Sequence, residues 1–297
     1  MSRIRTVPSN GMTIAYETFG DESAVPVLLV MGLGTQMIGW RDGFCELLAD
    51  RGHYVIRFDN RDIGLSTHLE DAAPGRPIAA FAGRRPAYLI ADMADDAAGL
   101  VTGLGLAGAH IVGVSMGGCI SQQLAIAHPG ILRSQTSISS STGSRRVGRP
   151  RLDIAARMVL RRPAANREQA QAAGVALWQR IGSPGYPVDV DLVRELTGEA
   201  YDRRYDPAGG SRQFAAILGS PDRTAALHDV DAPTLVLHGE ADPLITVSGG
   251  AATAAAIPGA RLVTYPGMGH DLPDALWPRF VDEIGAIVKE GEARRED

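Results

Sequence analysis

Ala109-His110-Ile111-Val112-Gly113-Val114-Ser115-Met116-Gly117-Gly118-Cys119-Ile120-Ser121-Gln122-Gln123-Leu124 is the stretch that decides the fold. It begins as an apolar run and ends in a helical pattern. Between them sits Gly113-Val114-Ser115-Met116-Gly117, a Gly-x-Ser-x-Gly sequence. A strand, a sharp turn and a helix in that order form a nucleophile elbow. The turn leaves little room beside the serine, and Gly113 and Gly117 meet that demand. Ser115 is expected to take a strained backbone conformation with Oγ pushed outward. The pattern alone is weak in a chain with 35 glycines, so its weight comes from the flanking elements and from partners elsewhere.

A serine hydroxyl becomes a nucleophile only when a base takes its proton, and the base needs a carboxylate to orient it. Two later histidines have a suitable setting. His270 lies in the loop Pro266-Gly267-Met268-Gly269-His270-Asp271, after the strand-like run Arg261–Tyr265. His238 ends the apolar run Thr234-Leu235-Val236-Leu237 and reads as a strand-end residue packed under the site. The glycine-flanked loop favours His270 as base. In Leu237-His238-Gly239-Glu240-Ala241-Asp242-Pro243, Asp242 precedes a proline that holds it extended. Glu240 is its competitor and reads as a solvated loop carboxylate. The alternative loop for the acid, Ser137–Gly143, carries no carboxylate. An oxyanion site needs the N–H of the residue after the nucleophile, Met116, and a second N–H from the loop after an earlier strand. Val25–Val30 is that strand and Met31-Gly32-Leu33-Gly34 follows it. Leu33 is the expected donor, with Gly32 next in line and bordering the substrate.

These residues carry a resemblance. The spacing of Met31-Gly32-Leu33-Gly34, Asp59-Asn60-Arg61-Asp62-Ile63-Gly64-Leu65-Ser66, the elbow, Gly239–Pro243 and Gly267–His270 is similar to that of the α/β-hydrolase family over essentially the whole chain. Within it the chain most resembles aclacinomycin methylesterase and the actinobacterial lipase/esterase-like proteins related to it. Met31-Gly32 stands where most of the family has His-Gly, and Asn60-Arg61-Asp62 where most has Arg-Gly. The resemblance implies a serine hydrolase of carboxylic esters, with Ser115, Asp242 and His270 as catalytic residues and no metal or organic cofactor. A thioesterase, a lactonase, a C–C bond hydrolase or a low-turnover ligand sensor would use the same residues.

Apolar runs at 25–30, 53–59, 109–114, 131–138, 233–238 and 261–265 alternate with helical patterns at 36–50, 87–105, 117–128, 245–257 and 274–290. That alternation predicts an α/β fold, a mostly parallel sheet flanked by helices. Asn10-Gly11 between extended runs predicts a hairpin near the start. Residues 142–225 break the rhythm with helical patterns near 151–162, 165–181, 189–201 and 210–219. They read as a helical cap after the sixth core strand, between core segments 1–141 and 226–297, and family resemblance places a lid there. Its aromatics Trp178 and Tyr205 are candidate substrate contacts or cap core. Arg145, Arg146, Arg149, Arg151, Arg157, Arg161 and Arg162 face only Asp153 in sequence. They read as a solvated face, with an anionic substrate or membrane surface as the other reading.

The net charge of −5 offers nothing to a nucleic acid. No apolar run reaches the length of a membrane span, and the N-terminus lacks the apolar core of a signal peptide. The expectation is a cytoplasmic monomer or homodimer acting on a small ester. Cys45 and Cys119 sit on different helical patterns outside metal-ligand spacing, so each is expected to be a buried small hydrophobe.

Overall fold

Asn10 and Gly11 turn the chain at φ of 47° and 74°, joining β1 (Arg5–Ser9) to β2 (Met12–Phe19) as the Asn-Gly pair predicts. The computed structural model describes residues 4–160 and 162–296. Arg161 of the basic run and residues 1–3 lie outside the described residues. Six further strands follow: β3 (Val25–Val30), β4 (His53–Phe58), β5 (Ala109–Val114), β6 (Leu132–Ile138), β7 (Thr234–Gly239) and β8 (Arg261–Tyr265). They form one sheet in the order β1-β2-β4-β3-β5-β6-β7-β8. β2 runs antiparallel to both its neighbours, and β3 to β8 are mutually parallel.

Every residue of β4, β5 and β7 is buried, because helices cover the sheet on both faces. Leu28 and Val30 of β3 pack with residues of α3 (Ile90–Gly103) and α4 (Met116–Ala127). Val27 and Leu29 pack on the opposite face with α1 (Asp42–Ala49) and α10 (Trp277–Glu296). Each fully buried aliphatic side chain contributes roughly 1.5–3 kcal/mol. A slip of one residue would exchange the two sets, so packing pins the register. Cys45 and Cys119 are buried free thiols, and burial pushes the Cys45 thiol up to about 12.

Several elements differ from expectation, among them the pattern at 274–290, which divides into a 3₁₀ turn at Asp274–Leu276 and α10, and an unforeseen 3₁₀ turn at Ala226–Asp229. The pattern at 36–50 divides into a 3₁₀ turn at Met37–Gly39 and then α1, because Asp59 Oδ1 accepts the Met37 N–H at 2.7 Å and holds the chain before it turns. The short α2 (Pro77–Phe81) carries no sequence signal beyond Pro77 in its first turn, being too brief for periodicity.

Between β6 and β7 lie α5 (Leu152–Leu160), α6 (Arg167–Ile181), α7 (Val190–Arg203) and α8 (Pro207–Gly219), and no strand among the described residues. Asn166, Asp189 and Asp206 cap α6, α7 and α8 by accepting N–H groups of their first turns. α9 (Ser248–Ala256) follows β7. No helix among the described residues is long and apolar enough to cross a membrane.

Candidate active site

Ser115 stands between β5 and α4 at φ 56°, ψ −116°, a left-handed conformation rare for a residue with a Cβ. Its surroundings over-determine that strain. Its N–H donates to Ile138 O at 2.8 Å, and its carbonyl accepts from Ser140 Oγ at 2.8 Å and Gly118 N at 3.0 Å. A Cβ on Gly113 would collide with the Gly117 carbonyl, and one on Gly117 with the Val30 carbonyl. The two glycines are therefore dictated by close backbone approach.

The carboxyl ends of the parallel strands β5, β7 and β8, with β6 between the first two, bring the partners in. His270, in the loop after β8, has Nε2 3.0 Å from Ser115 Oγ and Nδ1 2.6 Å from Asp242 Oδ2. Asp242 follows β7 and is buried; its Oδ1 accepts the N–H groups of Leu244 and Ile245 at 2.8 and 2.9 Å. Those two bonds aim Oδ2 at the imidazole. An ionised carboxylate only accepts, so the histidine carries its proton on Nδ1 and leaves Nε2 free to accept from the serine. Glu240 is elsewhere: it is exposed and takes a 2.7 Å bond from Thr264 Oγ1. His238 is fully buried beneath the site, its Nε2 donating to Ile245 O at 2.8 Å. Burial holds its imidazole below the usual range, which suits a neutral ring packed under Asp242.

Gly32 lies against the nucleophile, since a Cβ there would meet Ser115 Cβ at 3.2 Å and sit 3.8 Å from Oγ. Among the described residues, neither Leu33 N–H nor Met116 N–H is taken by a protein acceptor. The loop that carries Leu33 is held from two sides. From the core, Asn60 Nδ2 donates to Met31 O at 3.1 Å. From α8, Gln213 Oε1 accepts Gly34 N–H at 2.9 Å while its Nε2 donates to Arg61 O at 2.8 Å. From α7, Arg203 Nε donates to Gln36 Oε1 at 2.7 Å and its guanidinium also reaches Asp59 Oδ2 at 2.7 Å. Gln36 Nε2 returns the contact to Ala200 O at 2.6 Å.

The turn Asp59–Asp62 is structural, but its contacts run to this loop and to the helices rather than to the elbow. Arg61 pairs with buried Asp96, and Arg212 of α8 makes two bonds to Asp62 at 2.7 and 2.8 Å. Burial works against the charge of Asp62, and the bonds and charge of Arg212 outweigh it and hold the carboxyl below its usual range.

The histidine loop is held from the same side. His270 N–H donates to Ile181 O at the end of α6 at 2.7 Å, and Gly185 N–H to Gly267 O at 2.9 Å. Gly269 N–H donates to Ser183 Oγ at 2.8 Å, and that hydroxyl donates in turn to Asp271. Gln213, Arg203 and Ser183 are absent from the sequence reading. No motif marks them, and only Asp206-Pro207, a helix start, hints that α8 has a defined place.

Trp178 is half-buried one turn before Ile181. Tyr205 stacks on Tyr201 with ring centroids 4.9 Å apart, and its hydroxyl accepts Ala164 N–H at 2.5 Å. Tyr205 thus makes contacts within the helical segment itself. The ligand atoms of Asp62, His68 and Asp206 lie within 4.8 Å of one another. Arg212 already bonds Asp62 and stands 3.5 Å from Asp206, supplying the cation of that cluster.

Comparison with known proteins agrees with this architecture. The family model described as alpha/beta hydrolase fold matches residues 25–274. The chain is 28% identical to rhodomycin D methylesterase DnrP of Streptomyces peucetius, over 92% of this chain and 93% of that protein. It is 29% identical to rhodomycin D methylesterase DauP of Streptomyces sp. (strain C5), with the same coverage of 92% and 93%. Among solved structures, the esterase RhEst1 from Rhodococcus sp. ECU1013 superposes with a TM-score of 0.72 at 23% identity, covering 97% of this chain and 99% of that one.

Proposed function

This chain belongs to the alpha/beta hydrolase fold family, and from that premise we propose that it hydrolyses carboxylic esters through an acyl-enzyme on Ser115. The observation that carries the reading is the unbroken line from Asp242 Oδ2 through His270 to Ser115 Oγ, at 2.6 and 3.0 Å. His270 Nε2 takes the hydroxyl proton as Oγ attacks the ester carbonyl. Asp242 steadies the imidazolium so formed. The developing oxyanion sits between the N–H groups of Leu33 and Met116, which have no competing protein acceptor among the described residues. His270 then gives its proton to the leaving alkoxide, and activates the water that frees the acid. Similarity to two methylesterases over more than nine-tenths of the chain supports a methyl ester as substrate.

In this reading residues 142–225 are a lid over the carboxyl ends of the strands. Trp178 is half-buried near the end of α6, and Tyr205 serves the lid's own packing. The deciding experiment is Ser115→Ala, which removes only Oγ from a turn otherwise fixed by backbone contacts. Turnover of methyl and p-nitrophenyl esters should fall to the residual level left by binding and the oxyanion site, roughly 10³–10⁴-fold above water. Covalent capture by a fluorophosphonate should vanish. A folded variant that keeps near-normal turnover refutes the assignment.

A further inference from the structure

One helix of the molecule is apolar on the wrong side. α5 buries Ile154, yet Leu152, Ala156, Val159 and Leu160 all point to solvent. At 100° per residue these four fall within one 100° arc, the spacing of a continuous stripe. Leu152 is 89% exposed and Leu160 75%. A second exposed apolar site adjoins the same segment. Ile78 and Phe81 of α2 are exposed, and Arg145, at the head of the segment leading to α5, lies over the Phe81 ring at 4.0 Å and donates to its carbonyl at 2.8 Å. Isolated exposed leucines are ordinary, whereas an apolar stripe on a helix that is anchored through Ile154 on its other face calls for a partner.

The charge around the stripe identifies the chemistry of that partner. Arg145, Arg146, Arg149 and Arg151 precede the helix, Arg157 lies within it and Arg162 follows it, and all are exposed. The α2 site is flanked by Arg76, Arg84 and Arg85, exposed as well. From 145 to 162 the sequence holds a single acid, Asp153, which Arg151 engages at 3.2 Å. The chain as a whole is net −5, so the positive charge is concentrated here. A second copy docking through the same patch would set these arginines against one another. We propose that α5 and α2 form a peripheral docking surface for an anionic lipid bilayer, with the leucines and Phe81 in the acyl boundary and the arginines at the headgroups. The Arg151 N–H donates to Pro243 O at 2.9 Å, so the surface adjoins the loop that carries Asp242. Docking would bring the site to esters dissolved in the membrane. The proposal stands on exposure and charge alone and is independent of the assignment of Ser115.

Flotation of the full chain with vesicles tests it. The protein should float with phosphatidylcholine vesicles containing about one-third phosphatidylglycerol, stay behind with phosphatidylcholine alone, and be released by salt. Arg146→Gln with Arg157→Gln should lower the partition coefficient about 25-fold, at about fivefold per arginine. Leu152→Ser with Leu160→Ser should lower it by about tenfold or more. Hydrolysis of a water-soluble short ester should be unchanged in both variants, which certifies their fold. Failure of the wild type to float with anionic vesicles overturns the proposal, as does undiminished flotation of the variants. Concentration-dependent self-association that the leucine variant abolishes would assign the stripe to a second copy and overturn it equally.

Discussion

Replacing Gln213 by leucine is the sharpest probe of how the helices between β6 and β7 bear on catalysis. Gln213 is fully buried and bridges two backbone groups, Gly34 N–H and Arg61 C=O, at 2.9 and 2.8 Å. Leucine keeps much of the volume and removes both bonds. Gly34 is exposed and its N–H can turn to water, so the stability cost falls on the Arg61 carbonyl, about 1–3 kcal/mol. The catalytic cost comes through the loop. Loss of an entire oxyanion donor costs about 10²–10³ in kcat. Here the proposed donor, Leu33 N–H, survives, and Asn60, Asp59 and Gln36 still anchor its loop. Roughly a third to a half of the donor's contribution is at stake, close to 1.4 kcal/mol, or about tenfold in kcat. The assay is steady-state hydrolysis of p-nitrophenyl acetate, too small to need the helical segment, with the melting temperature read in parallel. We expect kcat to fall about tenfold with KM nearly constant, because the interaction acts on the transition state. Affinity for a trifluoromethyl ketone, which mimics the oxyanion, should fall in step. An unchanged kcat with a lowered melting temperature would make Gln213 a structural brace only. A loss confined to bulky esters would restrict the segment to substrate choice.

Asp242→Asn should lower kcat by about 10⁴-fold at neutral pH by stabilising the wrong imidazole tautomer, whereas Glu240→Gln should change it less than twofold; the reverse ranking, measured side by side, would move the acid to Glu240. Stability should fall with acid between pH 6.5 and about 4. Burial holds the His110 imidazole down at about 4 from 6.5, so in that window the unfolded chain binds a proton that the native state refuses. Burial also lowers His53 and His238 and adds in the same direction. His110→Gln should flatten the denaturation profile across that window, and an equally steep profile would exclude His110 as its source.

The sheet was legible because its signals are local. Strand lengths, the Asn10-Gly11 turn and the glycines of the elbow each report on a few neighbouring residues, and burial on both faces of a parallel sheet enforces them. Ser115, Asp242 and His270 could be named for the same reason. Each follows a strand that ends at the same edge, so sequence order alone implied a meeting point. α2 escaped because five residues carry no period.

What the sequence by itself determined is therefore the succession of elements and the chemistry carried at their ends, since periodicity and turn geometry act over a few residues. What only the tertiary structure decided is the wiring between them. Gln213 meets Gly34 across 179 positions, Arg203 meets Asp59 across 144, and Ser183 meets Gly269 across 86. A hydrogen bond depends on position and direction to within a few tenths of an ångström. Such agreement between distant residues leaves no periodic trace in the chain and exists only once the sheet has set both ends in place.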